Sequence, residues 1–430
     1  MGTVKKNVAY STLLAGANYA FPLAVYPYVS RVLGVENVGV VGFVDSLATY
    51  FILFSMMGIS ILGAREVARV RGARGEGRGT SNADLRKSVW GLQTIHAVMT
   101  VVCLVGMLVM SLTVSELRDK LPMLCIGMSK LVLNLFLMEW FWQGMEDFRY
   151  ITVRTVAVKA VYVAAVFILV RGEHATLIYY FLTMLVVAAI ACVNMANVGK
   201  YVGWRPTAGY WRRYVGPYFL LGVYSLLTTA YTTFNGVFLG FTGQEAEMGY
   251  YAVTAKLFQI IITLFGAVTT VMMPRLSALL VGERREEFRR YVSRSAVAIV
   301  ALSLPVIAVG EVFAPEIIML LSGPGYEGAV PLVRLVMPFL LVFGMEQLLV
   351  VQVLMPTGRE RAITVNAGVA AAVGIALNIV LVPKLLAMGS AIVWVTSETV
   401  ILLLSLPAVR REGLMRAVPW REIRGLFKRQ

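Results

Sequence analysis

Apolar runs long enough to cross a lipid bilayer recur along the whole chain. A helix needs about 20 mostly apolar residues to span the hydrocarbon, and the intervals between these runs are too short for a folded domain. Continuous runs rich in Gly, Ala and Leu favour helices over the alternating pattern of a membrane barrel. The sequence therefore predicts an all-α integral membrane protein with twelve transmembrane helices at about 8–33, 39–64, 88–113, 121–143, 151–170, 175–198, 214–240, 248–273, 295–320, 329–354, 362–382 and 388–408.

The composition agrees with a membrane location, and the positive net charge must be interpreted together with it. Of the 430 residues 58% are hydrophobic and 15% are charged, with a mean hydropathy of +0.75, whereas soluble domains are about half apolar and about a quarter charged. A net charge of +15 would indicate nucleic acid binding in a soluble protein. Here the basic residues lie between the apolar runs, so we expect membrane lipids and no nucleic acid as partners.

The positions of Lys and Arg also predict which ends of the helices face the cytoplasm. If the N-terminus is cytoplasmic, 30 of the 39 Lys and Arg residues, Arg149 and Arg154 among them, fall in cytoplasmic segments and 5 fall outside. Because positive charge accumulates in cytoplasmic loops, we expect both termini in the cytoplasm.

A weak internal repeat divides the chain into two halves. Shifted by about 210 positions, Leu33 and Gly34 align with Leu239 and Gly240. An even number of spans separates the copies, so both have the same orientation, as in a parallel repeat about an axis along the membrane normal. Two six-helix bundles with a central cavity would allow alternating access. The predicted segments are a first bundle at 1–198, a cytoplasmic linker at 199–213, a second bundle at 214–408 and a basic cytoplasmic tail at 409–430.

Three stretches resemble a known family of exporters. They are PYVSRVLGVENVGVVGF at the end of the first run, its echo VFLGFTGQEAEMGYYAVTAKLF, and EWFWQGMEDFRYITVRTV after the fourth run. These stretches are similar to the polysaccharide-transporter branch of the multidrug/oligosaccharidyl-lipid/polysaccharide exporter superfamily, in particular to O-antigen repeat-unit flippases of the Wzx type. The resemblance covers essentially the whole chain, although some members have two more C-terminal helices.

The resemblance implies a fold, a function and a set of partners. The fold would be MATE-like. The function would be to move undecaprenyl-diphosphate-linked oligosaccharide from the cytoplasmic to the periplasmic leaflet of the bacterial inner membrane. The lipid-linked oligosaccharide, membrane lipids and a polysaccharide polymerase of the same pathway are the implied partners.

Basic residues inside the apolar runs are candidates for binding an anionic cargo. A charge at bilayer depth is costly, so each one needs a partner or a watery cavity. Lys and Arg bind phosphate oxygens through charge-assisted hydrogen bonds. Interhelical ion pairs, or snorkelling to the interface, are the alternative role of these side chains. The candidates are Arg31, Lys130, Lys159, Lys256 and Arg334.

Carboxylates inside the runs are candidates for ion coupling. Asp45, Glu139 and Glu346 would take up a proton or bind sodium as a cavity changes sides, or would only neutralise basic neighbours. Glu398 is a further acidic residue inside a run. We expect no cofactor beyond possible coupling to H⁺ or Na⁺, because the loop at 65–87 lacks a P-loop pattern. We also expect no metal site, because the His and Cys residues show no ligand spacing.

Two further features concern the first and seventh runs. Pro22 and Pro27 interrupt the hydrogen bonding of the first predicted helix, which indicates a bend that serves either gating or packing. Thr228, Thr232 and Asn235 share one face of the seventh. That polar face would bind sugar hydroxyls or join neighbouring helices.

Other functions remain open at this point. A lipid II flippase or a drug or cation exporter of the same superfamily would have a similar pattern, although a cation exporter should favour acidic residues. A membrane-bound polysaccharide polymerase or ligase would be expected to display a sizeable periplasmic loop. Every predicted outside loop has about eight residues or fewer, so we expect a transporter and not an enzyme.

Overall fold

The part of the chain that the structure describes is predominantly helical. The computed structural model describes residues 2–75, 82–203, 210–281 and 284–411, and these contain no strand, in agreement with the predicted all-α fold. The α-helices are α1 (Gly2–Met56), α2 (Ile59–Gly75), α3 (Asn82–Thr113), α4 (Ser115–Arg118), α5 (Leu121–Asn134), α6 (Glu139–Gly144), α7 (Phe148–Leu169), α8 (Thr176–Val202), α9 (Val215–Gly240), α10 (Glu245–Val281), α11 (Arg285–Val312), α12 (Ala314–Ser322), α13 (Ala329–Val336), α14 (Phe339–Gln347) and α15 (Glu360–Arg411). Short 3₁₀ turns occupy Glu173–Ala175 and Tyr210–Tyr214, and a π-helix occupies Leu348–Leu354.

Two helices are much longer than a bilayer is thick. α1 has 55 residues and α15 has 52, so each would extend about 80 Å if straight, against a hydrocarbon core of about 30 Å. Each contains a break, at Gly34 (φ 76°, ψ 170°) in α1 and at Leu386 (φ 49°, ψ −124°) in α15. These breaks lie where the sequence separates the first two and the last two predicted spans.

The helices are those of a multi-pass membrane protein. Seven described helical stretches, one of which combines α5 and α6, are long and apolar enough to cross a membrane. The number is eight if α13 and the stretch Phe339–Leu354, bent by 45° from it, form one span. This count treats α1 and α15 as one span each. The twelve-span arrangement stays a prediction.

One face of α3 is suited to contact with lipid. Apolar side chains more than half exposed recur every three or four residues along it, whereas Leu92, Ile95 and Met107 are buried. In a membrane, an exposed apolar face meets acyl chains and needs no protein cover. The exposed residues are Val98, Val101, Val102, Val105, Val109 and Leu112.

The helices form two compact units, residues 1–229 and 230–430. In the first unit α1 packs against α3, α5 and α7, and α8 packs against α5 and α7. In the second unit α15 packs against α10, α13 and α14. The boundary lies inside α9, so the first half of that helix belongs with the first unit by its contacts, whereas the repeat assigns it to the second bundle.

The beginning of α9 is held against the junction of α1 and α2. The backbone N–H of Gly58 donates to the carbonyl of Tyr218 (3.2 Å), and the Tyr218 hydroxyl donates to the carbonyl of Ser55. A methyl group on Gly58 would lie 2.6 Å from the Tyr218 carbonyl oxygen and 2.8 Å from Leu221 Cβ. Glycine is therefore required for the close approach of these two segments.

We expect Gly58→Ala to destabilise the protein by about 1–3 kcal/mol, because the added methyl group collides with backbone that cannot rotate away. Thermal unfolding of the purified protein in detergent measures the change. Gly16→Ala is the matched control, since a methyl group there meets none of the described residues within 4 Å and alanine favours the helix by up to about 1 kcal/mol. Equal melting temperatures for the two variants would contradict the assignment.

Candidate functional site

An ion pair between two helices lies within the first unit. Lys130 of α5 donates a hydrogen bond from Nζ to Oδ1 of Asp45 in α1. The Lys130 side chain is 13% exposed and that of Asp45 is 45% exposed. The ammonium also lies 4.7 Å from the centre of the Tyr180 ring. The cation is therefore largely removed from solvent and held by a carboxylate and an aromatic face, while the carboxylate stays accessible.

Three tyrosines from two further helices lie near Asp45. Tyr162 of α7 and Tyr179 and Tyr180 of α8 are near enough to Asp45 to interact with it electrostatically. Phenol hydroxyls both donate and accept hydrogen bonds. The site thus joins α1, α5, α7 and α8, and combines one cation, one carboxylate and several hydroxyl groups.

Gly127 allows α5 to come close enough to form this site. It lies one helical turn before Lys130, and a methyl group on it would lie 3.2 Å from Ala48 Cβ and 3.5 Å from the Tyr180 hydroxyl. Small residues at such crossings let membrane helices approach closely. The glycine therefore places Lys130 opposite Asp45, which lies one turn before Ala48.

A second ion pair in the same unit joins α6 and α7. Arg154 donates from Nη2 to Oε1 of Glu139 at 2.9 Å and from Nη1 to Oδ1 of Asn194 in α8. The Arg154 side chain is only 3% exposed, whereas that of Glu139 is 45% exposed. Tyr150 also donates to Asn194 Oδ1, at 3.1 Å. Arg154 is thus a buried cation whose counter-charge comes from α6 and whose further hydrogen bond comes from α8.

The helix break before α6 is stabilised by side chains of the neighbouring helices. Met138 has a positive φ of 43°, and the carbonyls left without helical partners need other donors. The side-chain amide of Gln93 donates to the Leu135 carbonyl, and that of Asn194 donates to the Leu137 carbonyl. Asn194 therefore supports both the break and Arg154, which fixes the position of Glu139.

The second unit contains carboxylates that have no such cation. Glu346 of α14 and Glu398 of α15 are 3% and 2% exposed, respectively. Glu346 accepts a hydrogen bond from Gln347 at 2.8 Å. Within the described part of the chain no ion pair joins either carboxylate to Lys or Arg.

The other predicted cations lie on four different helices, two in each unit. Arg31 is exposed and donates to the Pro27 carbonyl at 3.2 Å. Lys159 donates to Asn18 at 2.6 Å, joining α7 to α1. Lys256 is half-buried in α10, and Arg334 is exposed near the end of α13.

The predicted polar face and bend are only partly described. The side chains of Thr228 and Thr232 lie outside the described part of the molecule. Asn235 is buried, donates to the Ser390 carbonyl at 3.4 Å and accepts from Asn378 at 2.8 Å, so it joins α9 to α15. Pro22 and Pro27 lie inside α1, whose non-helical residue is Gly34.

Two components of these clusters could not be assigned from the sequence. The charge distribution groups Arg154 with the cytoplasmic basic residues, whereas the fold buries it in α7. Asn194 is an ordinary polar residue within an apolar run, and no spacing distinguishes it. The one available signal is that Glu139 and Arg154 are opposite charges at the ends of successive runs. Among the described residues no three His, Cys, Asp or Glu side chains are grouped as metal ligands would be.

Comparison with known proteins shows what kind of membrane protein this is. The family described as "Polysaccharide biosynthesis protein" matches residues 4–280, well over half of the chain. The chain belongs to this polysaccharide biosynthesis protein family. Membership confirms the resemblance of the sequence to the polysaccharide-transporter branch of the exporter superfamily.

Two similar proteins carry the name "Putative O-antigen transporter". The one from Escherichia coli K12 is 22% identical over 426 residues, which cover 96% of this chain and 98% of the relative. The one from Shigella dysenteriae is 24% identical over 318 residues, which cover 71% of this chain and 76% of the relative. The similarity to the first thus extends over the whole of both chains.

Solved structures identify the fold of this family member. The lipid II flippase MurJ in an inward closed conformation matches with a TM-score of 0.75 at 12% identity, covering 95% of this chain and 90% of its own. A multidrug resistance MATE family transporter of the MOP superfamily, facing inward, matches with a TM-score of 0.66 at 16% identity, covering 92% and 94%. These likenesses confirm the predicted MATE-like fold. The relatives and structural neighbours are transporters or flippases, so the chain is classed with transporters and not with enzymes.

Proposed function

We propose that this protein is a flippase that moves a polyprenyl-diphosphate-linked oligosaccharide from the cytoplasmic to the periplasmic leaflet of the bacterial inner membrane. The observation that carries the proposal is the family match, together with a relative named as an O-antigen transporter that aligns over 98% of its length. The likeness to a lipid II flippase supports the same class of cargo, a lipid diphosphate bearing sugar.

The ion pair of Lys130 and Asp45 is the proposed contact for the diphosphate. A phosphate oxygen binds an ammonium more strongly than water does, because the hydrogen bond is charge-assisted. The cargo would displace Asp45 from Lys130, which the 45% exposure of the Asp45 side chain makes possible. Tyr162, Tyr179 and Tyr180 would supply hydroxyl and ring contacts to the first sugar.

The proposed mechanism is alternating access in a twelve-span chain with both termini in the cytoplasm. The breaks at Gly34 and Leu386 support two spans in each of α1 and α15. Movement would be coupled to H⁺ or Na⁺, and a polymerase of the same pathway would use the delivered cargo.

Deleting the gene from its bacterial host tests the cargo. We expect lipid-linked oligosaccharide to accumulate in the cytoplasmic leaflet, where added impermeant glycosidases cannot reach it in intact spheroplasts. Expression of the wild-type chain should make the sugar accessible again. If lipid II accumulated instead, lipid II would be the cargo. If the lipid pools were unchanged but export of a cationic dye were lost, the protein would be a drug exporter.

A further inference from the structure

The two acidic residues buried in the second unit lie on helices that pack against each other. Glu346 is next to the C-terminal end of α14, Glu398 is in the middle of the second half of α15, and α14 packs against α15. The two carboxylates are close enough to interact electrostatically. Both are at most 3% exposed, so water does not screen one charge from the other.

Among the described residues, no Lys or Arg side chain forms an ion pair with either carboxylate. α10, α11 and α13 also pack against α14. Among the described residues, none of the charged or titratable side chains on these helices makes an ion pair with, or donates a hydrogen bond to, either carboxylate. The charged or titratable side chains that lie after the first turn of each of these helices include Tyr251 and Lys256 of α10, Arg294 and Glu311 of α11, and Arg334 of α13.

On α15 and on the π-helix that follows α14, several buried polar atoms have no hydrogen-bond partner among the described residues. Oε2 of Glu398 accepts no hydrogen bond. The indole N–H of Trp394, which is 8% exposed, faces the Glu398 carboxylate without completing a hydrogen bond. Gln352 is fully buried in the π-helix that begins directly after α14, and both its side-chain polar atoms are unpartnered. Buried polar atoms are normally paired, and single turns of π-helix are frequent at functional sites.

Two adjacent buried carboxylates without a cation cannot both be charged. The low dielectric of the site makes each anion costly, and their mutual repulsion adds to that cost. Binding one proton removes one of the two charges and gives the protonated carboxyl group an O–H donor. Proton binding is therefore favoured at this pair. It is not favoured in the same way at Asp45 and Glu139, because Lys130 and Arg154 already neutralise those carboxylates.

We propose that Glu346 and Glu398 form a proton-binding site in the second unit, and that this pair, rather than Asp45 or Glu139, exchanges the proton that drives transport. In the proposed cycle one proton binds a carboxylate oxygen from water on one side and leaves to water on the other, so no other reactant is needed. The coupling role rests on the proposed flippase function, whereas proton binding by the pair does not.

Infrared difference spectroscopy of the purified full chain in lipid nanodiscs tests proton binding without any cargo. We expect a carbonyl stretch of a protonated carboxylic acid at neutral pH that shifts in D₂O and disappears in Glu346→Gln and in Glu398→Gln. Glu316→Gln, which removes an exposed carboxylate of α12, should leave the band unchanged. A spectrum with no band sensitive to either buried substitution would overturn the proposal.

Proteoliposomes loaded with lipid-linked oligosaccharide test the coupling. An imposed pH gradient should accelerate flipping by the wild type and by Glu316→Gln. It should have no effect on Glu346→Gln or Glu398→Gln, which should retain the gradient-independent rate because glutamine mimics the protonated acid. If only a sodium gradient accelerated flipping, and added Na⁺ removed the infrared band, the proposal that the coupling ion is a proton would be wrong and the ion would be sodium. A protonated band without any flipping would leave the proton site in place and refute the flippase function.

Discussion

Replacing Lys130 with methionine is expected to slow flipping strongly while the chain still inserts and folds. The substitution keeps the length of the side chain but removes the cation proposed to bind the diphosphate. A hydrogen bond to a charged group contributes about 1.5–3 kcal/mol, so the rate should fall by about one to two orders of magnitude. The Asp45 carboxylate left behind is 45% exposed and stays hydrated, so stability should change little.

Complementation of the deletion strain measures this effect. The accessible fraction of lipid-linked oligosaccharide reports flipping, and immunoblotting of the membrane fraction reports the amount of protein. Lys130→Arg should keep most of the activity because the charge remains, although the geometry of its hydrogen bonds differs. Full activity of Lys130→Met at normal expression would contradict the proposed role.

A charge exchange separates cargo binding from simple pairing. The double variant Asp45→Lys with Lys130→Asp restores an ion pair between α1 and α5 but moves the cation to the other helix. If the pair only holds the helices together, the exchange should rescue both stability and flipping. If the cargo needs a cation in the place of Lys130, stability should return and flipping should not.

The sequence was sufficient to predict that the chain is helical and where the two longest helices break, but not the break between α5 and α6 at 135–138, inside the predicted span 121–143. Apolar runs of spanning length leave few alternatives to helices in lipid, and the interruptions near Gly34 and Leu386 lie between predicted spans. The two units of the structure divide inside α9, and the sequence gives no signal for that position. The division depends on which helix the first turns of α9 pack against, and a contact such as that of Gly58 with Tyr218 has no signature in either segment alone.

In the candidate sites too, the sequence identifies individual residues but not which of them are in contact. The sequence identifies Asp45, Lys130, Glu139 and Glu346 as charges in apolar runs, because such charges are rare and costly. Which charge faces which depends on how the helices are rotated about their axes, and that is set by packing. Hence the partner of Glu139 is Arg154, which lies close enough to the end of its run to be grouped with loop residues, and Glu398 becomes important only beside Glu346.

The ion pair of Glu139 and Arg154 should respond unequally to removal of its two members. Glu139→Gln leaves a guanidinium that is only 3% exposed without a counter-charge, and breaking a buried pair in this way costs about 3–5 kcal/mol. Arg154→Met leaves a carboxylate that water can reach, and Tyr150 still donates to Asn194. We expect this variant to lose about 1–2 kcal/mol, chiefly from the lost hydrogen bonds.

Thermal or denaturant unfolding of the purified variants in detergent measures this asymmetry. The double variant Glu139→Gln with Arg154→Met completes a double-mutant cycle. It should be more stable than Glu139→Gln alone, because removing the guanidinium also removes the uncompensated charge. The order would reverse if the pair were exposed to water on both sides, since the double variant would then lose the sum of the two single effects.

Because Asn194 also closes the helix break at Leu137, Asn194→Ala should destabilise the protein even when Arg154 is already replaced by methionine, whereas the effect of Glu139→Gln should disappear in that background.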